Sequence, residues 1–327
     1  MNRKKIAVVL FQLGGPDSLD AVQPFLYNLF CDPDIIDLPG AFLFRKPLAH
    51  IISSRRAPKV QDLYKRIGAK SPILKQTQLQ AESLKSALDK LGIDADVHIA
   101  MRYWHPMTDE VVKKLLESQT EEVVLLPLYP HYSKATTGSS VNEWKRVTHR
   151  LRYNSVSTKL VDNYCDHPLY IEAMVEHVNL ALARLPKEDQ KKVHFVFSAH
   201  GIPMSFIKAG DPYPNHIKRT YELIVEKGAW GLLHHLCFQS KVGPQKWLEP
   251  SLTKTIEDLA AQNVSHLVVI PISFVTDHIE TLSEINIEAR EEAREQGIKS
   301  FEMMPALIRN EKFIDCLTDL VLKQIRN

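Results

Sequence analysis

Eight short runs that read as strands, with helical patterns between them, constrain this chain more than any other feature. In the first half the runs fall at 6–11, 95–102, 122–128 and 155–161. In the second half they fall at 193–197, 232–238, 267–272 and 300–304. Helices are predicted at 77–91, 168–185, 215–227, 250–262 and 310–325, and residues 136–140 cap another that carries Trp144. Most of the strand runs are near-continuously apolar rather than alternating. Strands of that kind are buried on both faces, as in parallel sheets covered by helices. The same rhythm twice over predicts an α/β chain of two similar doubly wound domains. The first would span 1–165 and the second 166–305, with the terminal segment 306–327 packing back on the first. Such sheets bind ligands beyond the carboxyl ends of their strands. There the chain puts Arg102-Tyr103, the 129–132 segment, His200, Gln239-Ser240 and Asp277-His278, which predicts one cleft between the domains.

Composition excludes several classes. The 327 residues carry a formal net charge of only +2, which argues against nucleic-acid binding. The four cysteines, Cys31, Cys165, Cys237 and Cys316, are scattered without a C-x-x-C, so neither a zinc ribbon nor an iron–sulfur motif is read, and a reducing compartment fits. The N-terminal apolar run is short and lacks a small-residue cleavage site, so it is not read as a signal peptide. One of the longest apolar runs, 267–275, falls far short of the roughly 20 residues of a membrane span. Peripheral attachment stays open. Residues 21–60 mix apolar clusters with basic pairs and show no clean helical or strand period. They read either as core or, over 25–52, as an apolar lip beside a hydrophobic cleft, resting on anionic lipid. Gly14 and Gly15 follow the first strand, but no nucleotide-binding glycine pattern accompanies them.

The candidate chemistry gathers at the ends of the 193–197 and 267–272 strands. His200 follows a buried strand and precedes Gly201, and an imidazole there can take a proton near neutral pH. After the 267–272 strand, Asp277 and His278 open a segment in which Glu280, Glu284 and Glu288 stand four residues apart. An α-helix would stack the three on one face, where like charges repel. That row reads as a solvated face with Asp277 as N-cap, or as a site for a divalent cation, for protons, or for both. Trp104, Trp144 and Trp247 read as core or as the lining of a flat aromatic pocket. Arg55, Arg56, Arg66 and Arg102 read as surface charges or as partners of substrate carboxylates.

Several motifs together resemble the ferrochelatase family. They are Ser198-Ala199-His200-Gly201-Ile202-Pro203, Gly210-Asp211-Pro212-Tyr213-Pro214, Phe238-Gln239-Ser240-Lys241-Val242-Gly243-Pro244 with Trp247, and Thr276-Asp277-His278-Ile279-Glu280-Thr281-Leu282. In the first half Leu13-Gly14-Gly15-Pro16, Arg55-Arg56, Ser71-Pro72-Ile73, Arg102-Tyr103 and His105-Pro106 agree, in the same order. The resemblance implies two Rossmann-like domains of the chelatase fold gripping a macrocycle between them. It implies insertion of Fe2+ into protoporphyrin IX, giving protoheme and two protons. It makes His200 and Glu280 the catalytic pair. His200, Glu280, Glu284 and Glu288 would meet the metal. Leu13, Arg56, Ser71, Arg102, Tyr103, Trp247, Asp277 and His278 would meet the porphyrin.

Two departures refine the expectation. Animal members carry a C-terminal iron–sulfur extension and a cysteine in the loop where Lys134 and Ala135 stand here; this chain stops at Asn327, so no cluster and no tightly bound cofactor are expected, Fe2+ being a substrate. Some members that use coproporphyrin have a tyrosine where Leu13 stands, so Leu13 and the apolar 25–52 segment favour protoporphyrin and a membrane-facing approach. The expected enzyme is cytoplasmic, peripheral on the inner face of the cell membrane. Alternatives are iron insertion into coproporphyrin, cobalt insertion by the same fold, and a porphyrin or heme carrier without chemistry. Oligomeric state is not read from the sequence.

Overall fold

The computed structural model describes residues 5–35, 41–153, 155–240 and 245–326. Residues 36–40 of the expected lip, and 241–244 of the loop after Gln239-Ser240, lie outside the described residues. The chain divides into one compact unit of Met1–Asn163 with Phe313–Asn327 and a second of Tyr164–Lys312.

The first unit holds β1 (Ile6–Gln12), β2 (Ala95–Met101), β3 (Glu122–Pro127) and β4 (Ser157–Leu160) in the order β2-β1-β3-β4. All its pairings are parallel, with β1 in register from Ile6 on Ala95 to Gln12 on Met101. Val8 and Val9 are both fully buried, so neighbouring residues on opposite faces of β1 meet helices rather than solvent. On one face Val9, Phe11, Val123 and Leu125 pack with Trp144 and Val147, so Trp144 is core.

The second unit repeats the plan with β5 (Val193–His200), β6 (Leu233–Gln239), β7 (His266–Pro271) and β8 (Ser300–Met303), ordered β6-β5-β7-β8 and all parallel. Val196, Cys237, Leu267, Val269, Ile285 and Phe301 anchor its core. In each sheet the first strand takes its second on one side and its third on the other. Chain direction across the sheet reverses there, and the connections leave in opposite directions from that point. The carboxyl ends of β1 and β5 are therefore where each unit can hold a ligand.

Three segments depart from the sequence expectation. Residues 21–60, for which no clean period was found, are mostly helical, as Val22–Phe30 and Ala41–Arg66. Pro47 and Pro58 lie inside the longer helix and its charges are scattered, so the 3.6-residue pattern is broken although the helix forms. Helix Thr108–Glu117 was not anticipated. The segment after β7 is helical but wound as a π-helix over Glu280–Ala289, then α over Arg290–Glu295.

Candidate active site

His200 is the last residue of β5, not the first of the loop, and is paired in register with Gln239 at the end of β6. The strand runs on because its backbone is bound at its very end. The His200 N–H donates to Ser273 Oγ at 3.0 Å, and its carbonyl accepts from the Tyr213 hydroxyl at 2.9 Å. Nδ1 lies 2.7 Å from the Gly201 carbonyl oxygen, which can only accept. Nδ1 therefore carries the hydrogen, and Nε2 keeps a free lone pair. Gly201 allows this turn by close approach: a Cβ there would stand 2.8 Å from the Gln239 carbonyl oxygen and 3.3 Å from the Trp247 ring. Trp247, half-buried, is thus packed against the His200 loop, and Pro203 bridges to it in antiparallel pairing.

The other half of the site follows β7. The Thr281 hydroxyl lies 3.2 Å from Asp277 Oδ1, which accepts, and itself accepts the His278 N–H at 3.1 Å, tying the start of the π-helix to its first turn. Winding with i→i+5 bonds makes residues four and five apart neighbours along one face. Ser283 shows this by donating to Glu288 Oε1 at 3.1 Å, five residues on. Glu280, Glu284 and Glu288 therefore remain a row, as the spacing predicted, on a wider helix than predicted. The row is graded in exposure: Glu280 and Glu284 are half-buried, and Glu288 is exposed.

Neighbours from β5 and β6 fix the row. Ser198 Oγ donates to Gln239 Oε1 at 2.8 Å, and Gln239 Nε2 donates to the Glu280 carbonyl at 3.2 Å. The Ser240 hydroxyl donates to Glu284 Oε2. Burial, then the charge of Glu280, pushes the Glu284 carboxyl up to about 7, against the pull of the Ser240 hydrogen bond. Burial holds His200 below the ordinary histidine value, which Glu280 and the Gly201 carbonyl partly offset. His278 packs edge-on against Phe274, ring centres 4.3 Å apart, with Nε2 3.6 Å from Glu280 Oε2. His278 Nδ1 and Glu280 Oε2 are buried and make no hydrogen bond among the described residues. An imidazole lone pair, a second imidazole and an unengaged carboxylate oxygen at one strand-end cluster can take up protons or a divalent cation. No group of three histidine, cysteine or acidic side chains closes into a cage among the described residues.

In the first unit the expected substrate residues gather at the ends of β1 and β2. Arg102 N–H donates to the Gln12 carbonyl at 2.8 Å and Tyr103 N–H to the Leu13 carbonyl at 3.0 Å, extending the ladder past Met101. Ser71 N–H donates to the Pro16 carbonyl at 2.8 Å, and Gly15 lies so close that a Cβ would stand 2.5 Å from Ser71 Oγ. Tyr103 is fully buried; its hydroxyl donates to Asp32 Oδ2 at 2.5 Å, and desolvation pushes it well above the ordinary tyrosine value. Arg56 is exposed on helix Ala41–Arg66, its guanidinium 5.5 Å from the Phe30 ring centre.

The structure thus brings His200, Trp247, Asp277, His278, Glu280, Glu284 and Glu288 together in one unit, and Leu13, Ser71, Arg102 and Tyr103 in the other. Sequence reasoning missed Gln239, Ser240, Tyr213 and Ser273 as supports of the site, although three of them sit in motifs or at strand ends already singled out. It also missed Asp32. The sequence around it offered no signal, since Asp32 and Asp34 flank Pro33 alike.

The ferrochelatase family model matches residues 5–325. Proteins named ferrochelatase are similar along nearly the whole length. The one from Citrifermentans bemidjiense is 48% identical over 97% of this chain and 98% of its own. That of Aquifex aeolicus is 44% identical over 98% of this chain and 100% of its own. Among solved structures, SirB from Bacillus subtilis with Fe3+ shares the fold, with a TM-score of 0.59 at 11% identity, over 98% of this chain and 95% of that one.

Proposed function

The chain belongs to the ferrochelatase family and is an enzyme, a lyase that inserts Fe2+ into protoporphyrin IX to give protoheme; we propose that His200 and Glu280 are its reacting groups. Iron and porphyrin are both substrates. Two pyrrole N–H protons leave as the metal enters, so the site needs a base with a free lone pair. His200 Nε2 is that base in this reading. The observation that carries it is the Nδ1–H bond to the Gly201 carbonyl, which fixes the tautomer and leaves Nε2 as the acceptor. The lowered basicity of the half-buried ring favours its neutral form, which can accept a proton.

Glu280, with an unengaged carboxylate oxygen, hands over the metal or receives the proton. Glu284 titrates near neutrality and so exchanges protons readily, and the exposed Glu288 connects the row to solvent. A graded row without a cage suits ions in transit better than ions held. Leu13, Ser71, Arg102, Trp247, Asp277 and His278 contact the porphyrin, Arg102 through a carboxylate, and Tyr103 supports Arg102 from beneath. Arg56 is a further contact for the porphyrin in this reading.

The same reading makes the protein cytoplasmic and peripheral on a membrane. No helix among the described residues is long and apolar enough to cross one. Helix Ala41–Arg66 exposes Phe44 and Ile51, seven residues apart on one face, with Lys46, Arg55 and Arg56 also exposed. Apolar side chains beside basic ones suit an anionic lipid surface.

His200→Ala tests the central claim. Insertion of Fe2+, followed anaerobically by metalloporphyrin absorbance, should vanish, while porphyrin binding, followed by fluorescence, persists. Near-normal turnover would remove His200 from the mechanism.

A further inference from the structure

Asp32 stands outside everything the sequence pointed to. It follows helix Val22–Phe30, is 1% exposed, and is enclosed within the first unit. Burying a carboxylate is costly unless donors surround it. Four do. The Tyr103 hydroxyl donates to Oδ2 at 2.5 Å, the Ser139 hydroxyl donates to the same oxygen, and Arg102 Nη2 lies 3.0 Å from it. The Asp34 N–H donates to Oδ1 at 2.9 Å. Ser139 also accepts from Arg102 Nε at 2.7 Å, so carboxylate, hydroxyl and guanidinium form a closed ring of contacts. The guanidinium carbon sits 4.9 Å from the centre of the Tyr103 ring.

Three restraints on one planar group leave Arg102 a single orientation. They engage Nε and Nη2; Nη1 makes no hydrogen bond among the described residues, and the side chain is 14% exposed. A guanidinium held this way offers its remaining N–H groups in a fixed direction, and ordering it on binding costs little. We infer that Asp32 is a positioning residue for porphyrin binding: it orients Arg102 so that Nη1 donates to a substrate carboxylate. This rests on the reading of Arg102 as a carboxylate contact.

A double-mutant cycle on the full-length enzyme tests it, with Asp32→Asn, Arg102→Gln and the combination. The measurements are KM and kcat with protoporphyrin IX, and fluorescence Kd for protoporphyrin and for its dimethyl ester, which lacks the carboxylates. Asp32→Asn should raise KM and Kd for protoporphyrin about tenfold, leave kcat within about twofold, and leave ester binding unchanged. The double variant should be no worse than Arg102→Gln alone. Ser139→Ala, which keeps the buried charge pair, should show the same pattern at a few-fold and serves if Asp32→Asn fails to fold. Additive losses in the double variant, an equal loss for the ester, or a wild-type KM in Asp32→Asn with a raised KM in Arg102→Gln would overturn the role of Asp32 alone. A silent Arg102→Gln would instead remove the parent reading, and this inference with it.

Discussion

Replacing Glu284 by glutamine should make the protein more stable and less active, and the gain should depend on pH. The Glu284 carboxyl rises from 4.5 to about 7 on folding, because burial and the neighbouring Glu280 charge disfavour its ionised form. The folded state then holds a proton more tightly than the unfolded chain between those values. Stability is fully present below pH 4.5 and is lost as pH rises towards 7. At about 1.4 kcal/mol per pH unit the full loss is about 3 kcal/mol, and partial exposure of the residue reduces it to about 1–3 kcal/mol. Glutamine cannot ionise, yet its amide oxygen can still accept the Ser240 hydroxyl. Glu284→Gln should therefore match the parent at pH 5 and exceed it at pH 8 by about 1–3 kcal/mol. Each kcal/mol shifts Tm by about 2–4 °C for domains of this size. Thermal and urea unfolding at pH 5, 6, 7 and 8 measure the difference. If protons leave through Glu284, kcat should also fall by about tenfold or more. A stability change that is the same at pH 5 and pH 8, or a loss at pH 8, would refute the argument from burial and repulsion.

Gly201→Ala should destabilise by about 1–3 kcal/mol, since a Cβ 2.8 Å from the Gln239 backbone oxygen cannot be relieved by a rotamer change. It should also lower kcat, because the carbonyl that fixes the His200 tautomer must move; urea unfolding with steady-state kinetics checks both, and parental values of the two would count against it. The apolar and basic face of helix Ala41–Arg66 should bring the protein down with anionic liposomes in low salt and release it in high salt. Paired Phe44→Ser and Ile51→Ser substitutions should weaken this several-fold without altering kcat on detergent-solubilised porphyrin, and a protein that stays wholly in the supernatant in low salt would argue against membrane contact.

What could be read in the sequence follows from how far each signal reaches along the chain. Buried parallel strands announce themselves locally. Every one of the eight predicted runs overlaps an observed strand, and β5 was read short because Ser198 and His200 are polar although the ladder continues through them. Helix Ala41–Arg66 failed the periodicity test for an equally local reason, since two internal prolines and dispersed charge erase the stripe. The glutamate row was legible as a row, because spacing of four keeps residues adjacent on an α-helix and on a π-helix alike. Its winding was not. The choice between i→i+4 and i→i+5 bonds depends on contacts such as Gln239 to the Glu280 carbonyl, 41 residues away in sequence. Asp32 is the extreme case. Its hydroxyl donors lie 71 and 107 positions on, at Tyr103 and Ser139. Nothing beside it in the sequence distinguishes a buried acceptor from a surface acid before a proline. Sequence periodicity reports which face of an element is buried, whereas a buried charge is legible only once its partners are placed. The groups that hold Arg102 and His200 in single orientations are of that second kind. The residues proposed to meet substrate were read from motifs, while the groups that orient Arg102 and His200, namely Asp32, Ser139 and the Gly201 carbonyl, required the fold.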